Sequence, residues 1–161
     1  MTFQARVPSN PLPGFNFAVT FAQTAEVAAA IAAGGVTQIA AGFQEVTGLE
    51  SSIEIHSYNE GGRNDFTHKF ATNANFGNIT FKRGVALTSE LWDWYDQVRR
   101  GSFGARRTIT IVHLDYAMNM AHSWDVLRAL PAKYMGPSWN SGQTAVAVES
   151  LEVAHEGLVL K

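Results

Sequence analysis

The chain has 161 residues, a formal net charge of −2 and no cysteine. This length fits one domain with a sizeable hydrophobic core. The near-neutral charge argues against a dedicated nucleic-acid binder, which is usually basic. The absence of cysteine excludes disulfides and thiolate metal sites.

No targeting or membrane segment is indicated. The stretch Met1 to Pro13 lacks the apolar core of a signal peptide. The most apolar run, Val27 to Ala33, is too short to span a bilayer. We therefore expect synthesis in the cytoplasm and no membrane insertion by the chain itself.

The N-terminal third predicts an arm, a strand and an insertion. Residues 1–14 are rich in proline and predict an extended arm. Phe15 to Phe21 alternates apolar and polar side chains, as in a half-buried strand. Two structures are possible for the Ala-rich insertion of about residues 23–35. It forms either a short helix that begins after Thr24 and ends at glycine, or an irregular surface loop.

The next segment predicts two strands and a long loop. Residues 36–46 and 49–58 have strand composition, and in the second strand Ile53 and Ile55 share one face, opposite Glu54 and His56. Such a strand has one solvent-exposed face. A polar loop is then predicted from Glu60 to about residue 75, and loops of this length are usually functional or disordered. Residues 78–82 alternate again as a strand.

One helix is predicted over residues 88–100. Leu91, Trp94, Tyr95 and Val98 fall at i, i+3, i+4 and i+7 and form one apolar stripe. Trp92 breaks this stripe, so it either contacts a neighbouring subunit or widens the stripe that faces the core.

The C-terminal third predicts a hairpin and a long last strand. The hairpin strands are expected over residues 107–114 and 122–130, and the last strand runs from Thr144 to Leu160. Its alternation changes phase near Leu151, which a β-bulge or a strand shared by two sheets explains. The whole chain, residues 1–161, is therefore expected to be one mainly β domain, a sandwich or barrel with one packed helix.

No catalytic, metal or cofactor site is predicted. The glycine-rich run at Glu60 lacks the lysine and spacing of a P-loop. The histidines show no ligand spacing, and no nucleophile-elbow motif is present. His155 and Glu156 are expected to make structural hydrogen bonds instead of acting as an acid–base pair. We therefore expect no enzyme activity and no cofactor.

Several motifs in chain order resemble the contractile-tail inner-tube protein family. This family includes phage tail tube proteins and the tubes of extracellular contractile injection systems. The motifs are GFQEVTGLE at residues 42–50, EGGRN at 60–64, NITFKRG at 78–84, LWDWYDQV at 91–98, PAKYMGPSW at 131–139 and AVESLEVAHEGL at 147–158.

The resemblance implies a fold of two packed antiparallel β-sheets with one flanking α-helix. It also implies hexameric rings that stack into a hollow tube inside a contractile sheath, with strands of all subunits joined in one barrel. The implied partners are further copies of the chain, the sheath protein, baseplate and tail-terminator proteins, and protein or DNA cargo in the lumen. The implied location is a phage tail or a tail-like particle. The insertion at 23–33 departs from the tight turn usual in the family.

Two groups of residues are predicted to serve assembly. The subunit-interface group is Glu60, Gly61, Gly62, Arg63, Asn64 and Lys69. The group expected on the lumen or another outward face is Glu50, Glu54, His56 and Lys82. The sequence favours an injection-system tube, with a phage tail tube and a secreted ring resembling the haemolysin-coregulated protein as alternatives.

Overall fold

The computed structural model describes residues 13–21, 42–61, 65–86, 88–142 and 146–161. A short 3-10 turn lies at Phe103–Ala105. The other elements, in chain order, are β1 (Phe17–Thr20), β2 (Phe43–Thr47), β3 (Ser51–Tyr58), β4 (His68–Phe76), β5 (Ile79–Gly84), α1 (Glu90–Arg99), β6 (Arg107–Leu114), β7 (Met120–Met135), β8 (Val148–Ala154) and β9 (Gly157–Leu160).

The body of the molecule is a seven-stranded antiparallel sheet that folds into two halves. The strand order is β1-β6-β7-β8-β5-β2, and β9 also pairs with β7. The N-terminal half of β7 pairs with β6 and β9, and its C-terminal half pairs with β8. The long strand β7 thus links the two halves, and the predicted fold of two antiparallel sheets with one helix is confirmed.

The core lies between the two halves and under the helix. Val19 and Ile111 come from one half, Phe81 and Leu151 from the other, and Trp94 from α1. The apolar side chains of each half face inward because they alternate along their strands. Burying this surface is the main stabilising contribution to the subunit.

The helix begins two residues later than predicted and otherwise follows the predicted stripe. Leu91 and Trp94 are buried, and the Trp94 indole N–H donates to the carbonyl of Ala105 at 2.7 Å. The Arg107 guanidinium lies 5.3 Å from the Trp94 ring centroid, within cation–π range. Trp92 packs edge-on against Tyr134, so it widens the stripe and keeps 43% of its surface exposed.

The prediction of a loop from Glu60 to about residue 75 is wrong, because most of this segment is a strand. Residues 68–76 form β4 and pair with β3 in a separate two-stranded sheet. The expectation that β3 has one wet face is also wrong for the single chain. Ile53 and Ile55 are 58% and 52% exposed, so both faces of the strand meet solvent.

The predicted last strand is two strands, β8 and β9, which pair with different parts of β7. The break falls at His155 and Glu156. The Glu156 carboxylate pairs with Arg106 and, at 2.5 Å, with Arg128. Arg128 has a φ of 53° at the register shift where β7 passes from one half to the other. The phase change in the sequence thus reflects two sheets that share one long neighbour.

A buried polar cluster connects the sheet to the start of the helix. Arg83 donates to Glu149 at 2.6 Å and to the carbonyl of Thr88 at 3.4 Å. The Tyr134 hydroxyl donates to the other Glu149 oxygen at 2.8 Å. Burial, followed by this hydrogen bond, raises the pKa of Tyr134 to about 12. Breaking such a buried pair leaves an uncompensated charge and is strongly destabilising.

Several predicted features lie outside the described residues. They are most of the N-terminal arm, the insertion at 23–33 and the first part of the strand predicted over 36–46. Within the described part of the chain, no helix has the length and apolar composition needed to cross a membrane.

Candidate assembly interface

The β3–β4 hairpin stands apart from the body. All of β3 is exposed, and β4 is exposed except at its two ends. An isolated two-stranded hairpin is marginally stable in water and needs a third strand or a packed face. In the described part of the chain, its strands pair only with each other. The hairpin therefore presents two open faces and two open edges to another molecule.

The two faces of the hairpin differ in chemistry. The strand register places Ile53 opposite Ala74 and Ile55 opposite Ala71, so one face is apolar and made of small and β-branched side chains. This group is called the apolar face below, and Lys69 lies at its outer end, opposite Ser57. Ile53 and Ile55 share this face by alternation along β3, and an extra residue on β4 between Ala71 and Ala74 places both alanines opposite them.

The opposite face is polar along its middle and aromatic toward the turn. Glu54 and His56 lie on this side of β3. Toward the turn, the His68 ring lies 4.8 Å from the Phe66 ring and 6.3 Å from the Phe70 ring. The Glu60 carboxylate approaches the His68 imidazole at 3.5 Å. Exposed aromatic side chains of this kind are enriched in protein–protein interfaces.

Two glycines fix the base of the hairpin. Gly48 has a φ of 91°, and a Cβ there would lie 2.2 Å from the Asn78 carbonyl oxygen. A Cβ at Gly77 would lie 2.3 Å from a Glu50 carboxylate oxygen. At Gly48 the positive φ and the nearby backbone carbonyl require glycine, so the GFQEVTGLE motif encodes the sharp exit of the hairpin from the sheet. At Gly77 a larger residue would need the Glu50 side chain to move.

Contacts to the end of β8 hold the base in place. The Asn78 amide donates to Glu152 at 2.7 Å. The Phe76 ring packs 5.4 Å from the His155 ring, whose Nδ1 lies 3.0 Å from the Gly157 carbonyl oxygen. The AVESLEVAHEGL motif thus contacts the base of the hairpin through Glu152 and His155.

The structure brings part of the predicted interface group together. Glu60 and Gly61 lie in the turn after β3, and Lys69 is the second residue of β4, where a loop had been expected. Gly62, Arg63 and Asn64 lie outside the described residues.

The predicted outward group separates into two places. Glu50, Glu54 and His56 belong to the hairpin or its base. Lys82 lies on β5 in the body and pairs with Glu45 at 3.0 Å. Because this pair joins β2 to β5, Lys82 stabilises the sheet and stands apart from the hairpin.

Sequence reasoning missed the exposed apolar side chains as interface candidates. Ile53 and Ile55 were assigned to a core face, and Tyr58, Phe66 and Phe70 were not singled out. The glycines at positions 48 and 77 flank the hairpin in the sequence.

Several charged side chains of the body are paired within the chain. Arg99 and Arg100 pair with Asp96, and the hydrogen bond from Arg99 holds the pKa of Asp96 below its usual value. Arg106 pairs with Glu156. No cluster of three metal-ligating side chains occurs among the described residues.

Comparison with known proteins identifies a family. The model of the family described as "T4-like virus tail tube protein gp19" matches residues 13–159. No curated protein sequence matches the chain.

Solved structures with a similar fold come from contractile injection particles. A chain of the anti-feeding prophage tube-terminating cap has a TM-score of 0.80 at 19% identity, covering 100% of this chain and 99% of that one. A chain of the PVC sheath–tube complex in the extended state has a TM-score of 0.76 at 22% identity, covering 96% and 93%. A chain of the anti-feeding prophage baseplate has a TM-score of 0.74 at 23% identity, covering 95% and 97%. At these identities the likeness shows the fold.

Proposed function

The chain belongs to the T4-like virus tail tube protein gp19 family, and from this premise we propose that it is the repeating subunit of the inner tube of a contractile injection system. As a tail tube protein it is a structural component of a phage tail or tail-like particle. We propose that six copies form a ring, that rings stack into a hollow tube, and that protein or DNA cargo passes through the lumen.

The single observation that carries this proposal is the unsupported hairpin. Its apolar face and its aromatic end are exposed in one chain, although they contain Ile53, Ile55 and Phe70. A soluble protein rarely leaves such a surface open unless a partner covers it. Open strand edges also pair readily with other chains. A ring of identical subunits covers both features without requiring another protein.

The sheath, baseplate and tube-terminator proteins are the further partners of this proposal. Support comes from the fold shared with chains of an anti-feeding prophage baseplate, a tube-terminating cap and a PVC sheath–tube complex. We propose synthesis in the cytoplasm and release only as part of a particle. The tube is a passive conduit in this account, without a cofactor or catalysis.

The polar face of the hairpin is assigned to the aqueous surface of the tube. Glu54 and His56 are exposed and lie on the side opposite the isoleucines. Glu50 at the hairpin base extends the same polar character. Polar, charged surfaces with mixed signs resist nonspecific adhesion, which suits a conduit through which cargo must slide.

The turn and outer end of the hairpin are assigned to contacts between rings. Glu60 and Lys69 supply charges, and the glycine at position 61 has open space around it. Replacing both Arg63 and Lys69 with glutamate is expected to block stacking and leave the subunit folded. Replacing the exposed Lys133 with glutamate is a charge-reversal control outside the hairpin, matched to the single Lys69 variant. Tubes of normal length from the double variant would refute this assignment.

Electron microscopy and native mass spectrometry of the purified chain test the proposed function. The expected result is hexameric rings, with stacks at high concentration. A chain that stays monomeric at high concentration and shows no rings in micrographs contradicts the proposal.

A phage virion tail tube for DNA delivery is the second candidate, because the matched family description names a virus tail tube. Neighbouring genes discriminate the two. Capsid and terminase genes indicate a phage, and genes for an ATPase and protein cargo indicate an injection system. A secreted ring resembling the haemolysin-coregulated protein predicts isolated rings in micrographs and no long tubes.

A further inference from the structure

One half of the seven-stranded sheet is buried on both of its faces. This half consists of β1, β6, β9 and the N-terminal part of β7. Its inner face contributes Val19, Ile111 and Val126 to the core. Because side chains alternate along each strand, the residues between these lie on the opposite face. The buried residues there are called the second face below, and none is more than 5% exposed: Ala18, Thr110, Val112, Leu114, Ser123 and Asp125.

The polar groups of the second face are bonded to the sheet itself. Val112 lies opposite Ala18, and Thr110 lies opposite Asp125. The Thr110 hydroxyl donates to the Asp125 carboxylate at 2.7 Å, and the Lys161 ammonium lies 2.6 Å from the other carboxylate oxygen. A buried carboxylate is tolerated when it is hydrogen-bonded and charge-paired. An apolar segment can therefore cover this face without leaving Asp125 unpaired.

Among the residues that the structure describes, no helix or strand packs on the second face. Ala18, Val112 and Leu114 are buried, but none of them belongs to the core cluster between the two halves. Helix α1 packs on β7 and contributes Leu91 and Trp94 to that core cluster instead. The burial arises within a single chain. The atoms that cover the second face therefore belong to residues of the same chain outside the described ranges.

The cover is centred on β1 and β6. Ala18 and Val112 on these strands are 4% and 0% exposed. Leu127 on β7 and Val159 on β9 lie on the same side of the sheet as Asp125, and they are 37% and 40% exposed. Burial thus decreases away from β1, which is an edge strand of the sheet. The covering segment lies next to that edge.

Two long segments of the chain lie outside the described ranges, residues 1–12 and residues 22–41. The first joins the fold on the inner side, because the Pro13 carbonyl oxygen lies 2.9 Å from Nε2 of His113. His113 alternates with Ile111 and so lies on the core side of β6. The second segment follows directly after β1, at the edge where the cover is centred.

The segment 22–41 has the length and composition that this position requires. Phe21 before it and Phe43 after it line the same small internal void, so little of its length is needed to connect them. The strands β1, β6 and β7 span about 10 Å, which is two strand spacings, whereas ten extended residues reach about 33 Å. The run Val27 to Ala33 is entirely apolar, and its alanines permit close approach to the sheet.

We propose that the Ala-rich segment 22–41 lies over the second face of its own chain and forms a third layer of the subunit. This contact removes the apolar run from water and accounts for the burial of Val112 and Leu114. It also closes the second face to other molecules, so neighbouring subunits contact other surfaces. The inference concerns a single subunit and does not depend on ring formation.

Cross-linking of the dilute full-length subunit tests this position, because the chain has no native cysteine. Ala30→Cys in the segment is combined with Val159→Cys at the exposed margin of the second face. Arg6→Cys with Val159→Cys tests the N-terminal arm as the cover. The control combines Ala30→Cys with Lys133→Cys, which is exposed and lies opposite Glu152 in the other half of the sheet. A short bis-maleimide links the thiols, and mass spectrometry detects the link within one chain.

The first pair should form an intramolecular link, and the arm pair and the Lys133 control should not. A link from the arm pair in place of the first pair would assign the cover to residues 1–12 and overturn the inference. Failure of the first pair to link, or an equal link from the Lys133 control, also overturns it. Because the measurement is made on dilute subunits, the proposed tube function stands or fails separately, on the formation of rings.

Thiol labelling of the full chain gives a second readout. Val112→Cys on the second face and Ile111→Cys on the core side are adjacent in sequence, and both should react slowly with a maleimide because both side chains are buried. Adding Ile31→Asp places a charge in the apolar run, which disfavours its burial. The labelling rate at position 112 should then rise relative to the rate at position 111. An unchanged ratio of the two rates contradicts the inference.

Discussion

The body and the β3–β4 hairpin are built from similar residues and reach opposite states. Ile79 in the body is fully buried between strands, whereas Ile53 and Ile55 in the hairpin are more than half exposed. The body closes its own core, and its charged groups pair within the chain. The hairpin leaves apolar groups and edges open. This difference is the basis of the proposal that the subunit folds through the body and assembles through the hairpin.

The largest expected effect lies in the body. Trp94→Ala removes a ring that is 1% exposed and is hydrogen-bonded to Ala105, so it should lower the free energy of unfolding by about 3–5 kcal/mol. Urea denaturation measures this loss. An unchanged midpoint would show that the helix packs through another face.

A matched pair of isoleucine variants, one in the body and one in the hairpin, tests the difference between the two regions directly. Ile79→Ala should cost about 2–5 kcal/mol of subunit stability because it leaves a cavity in the core. Ile53→Ala should change subunit stability by no more than about 0.5 kcal/mol, as expected for an exposed site, and should weaken ring formation. Denaturation and native mass spectrometry are run on both variants. A hairpin variant that unfolds early and assembles normally contradicts the division of roles.

The glycine at the hairpin base should be more sensitive than a glycine with the same backbone angle elsewhere. Gly101 has a φ of 90° and open space around it, so Gly101→Ala should cost about 1–2 kcal/mol for the left-handed conformation alone. Gly48→Ala adds a clash with the Asn78 carbonyl and should cost more. Thermal unfolding compares the two. Equal losses of stability in the two variants would contradict the predicted clash at the hairpin base.

The smallest effect concerns alkaline pH. The pKa of Tyr134 is raised to about 12 from 10.0, so the folded state favours the neutral phenol. The resulting stability is fully present below pH 10 and is lost as pH rises toward 12. One of the four tyrosines should therefore ionise late in an absorbance titration of folded protein, and Tyr134→Phe should remove that step. A late step that persists in the variant belongs to another tyrosine.

The sequence was sufficient to predict those elements that bury one face and expose the other. The helix stripe of Leu91 and Trp94 and the strand Arg107–Leu114 were predicted because their periodicity reflects a single core. The same logic predicted the opposite faces of Ile53 and Glu54, although neither face of this strand is buried within the single chain.

Elements without a simple buried face were missed or shortened. β4 was read as a loop because it is exposed on both sides and a register shift near Thr72 interrupts its pattern. β7 was predicted too short because Arg128 adopts a positive φ and a second register shift follows Pro131. The separation of Lys82 from the hairpin depends on strand pairing, which spacing along the chain does not encode.

Hydrogen exchange of the dilute subunit and of the assembled ring tests the division between body and hairpin most directly. Amides of β5, β6 and β8 should be protected in both states, because they lie in the seven-stranded sheet. Amides of β3 and β4 should exchange rapidly in the subunit and become protected in the ring. Equal protection of the hairpin in the two states would contradict its role as the assembly element.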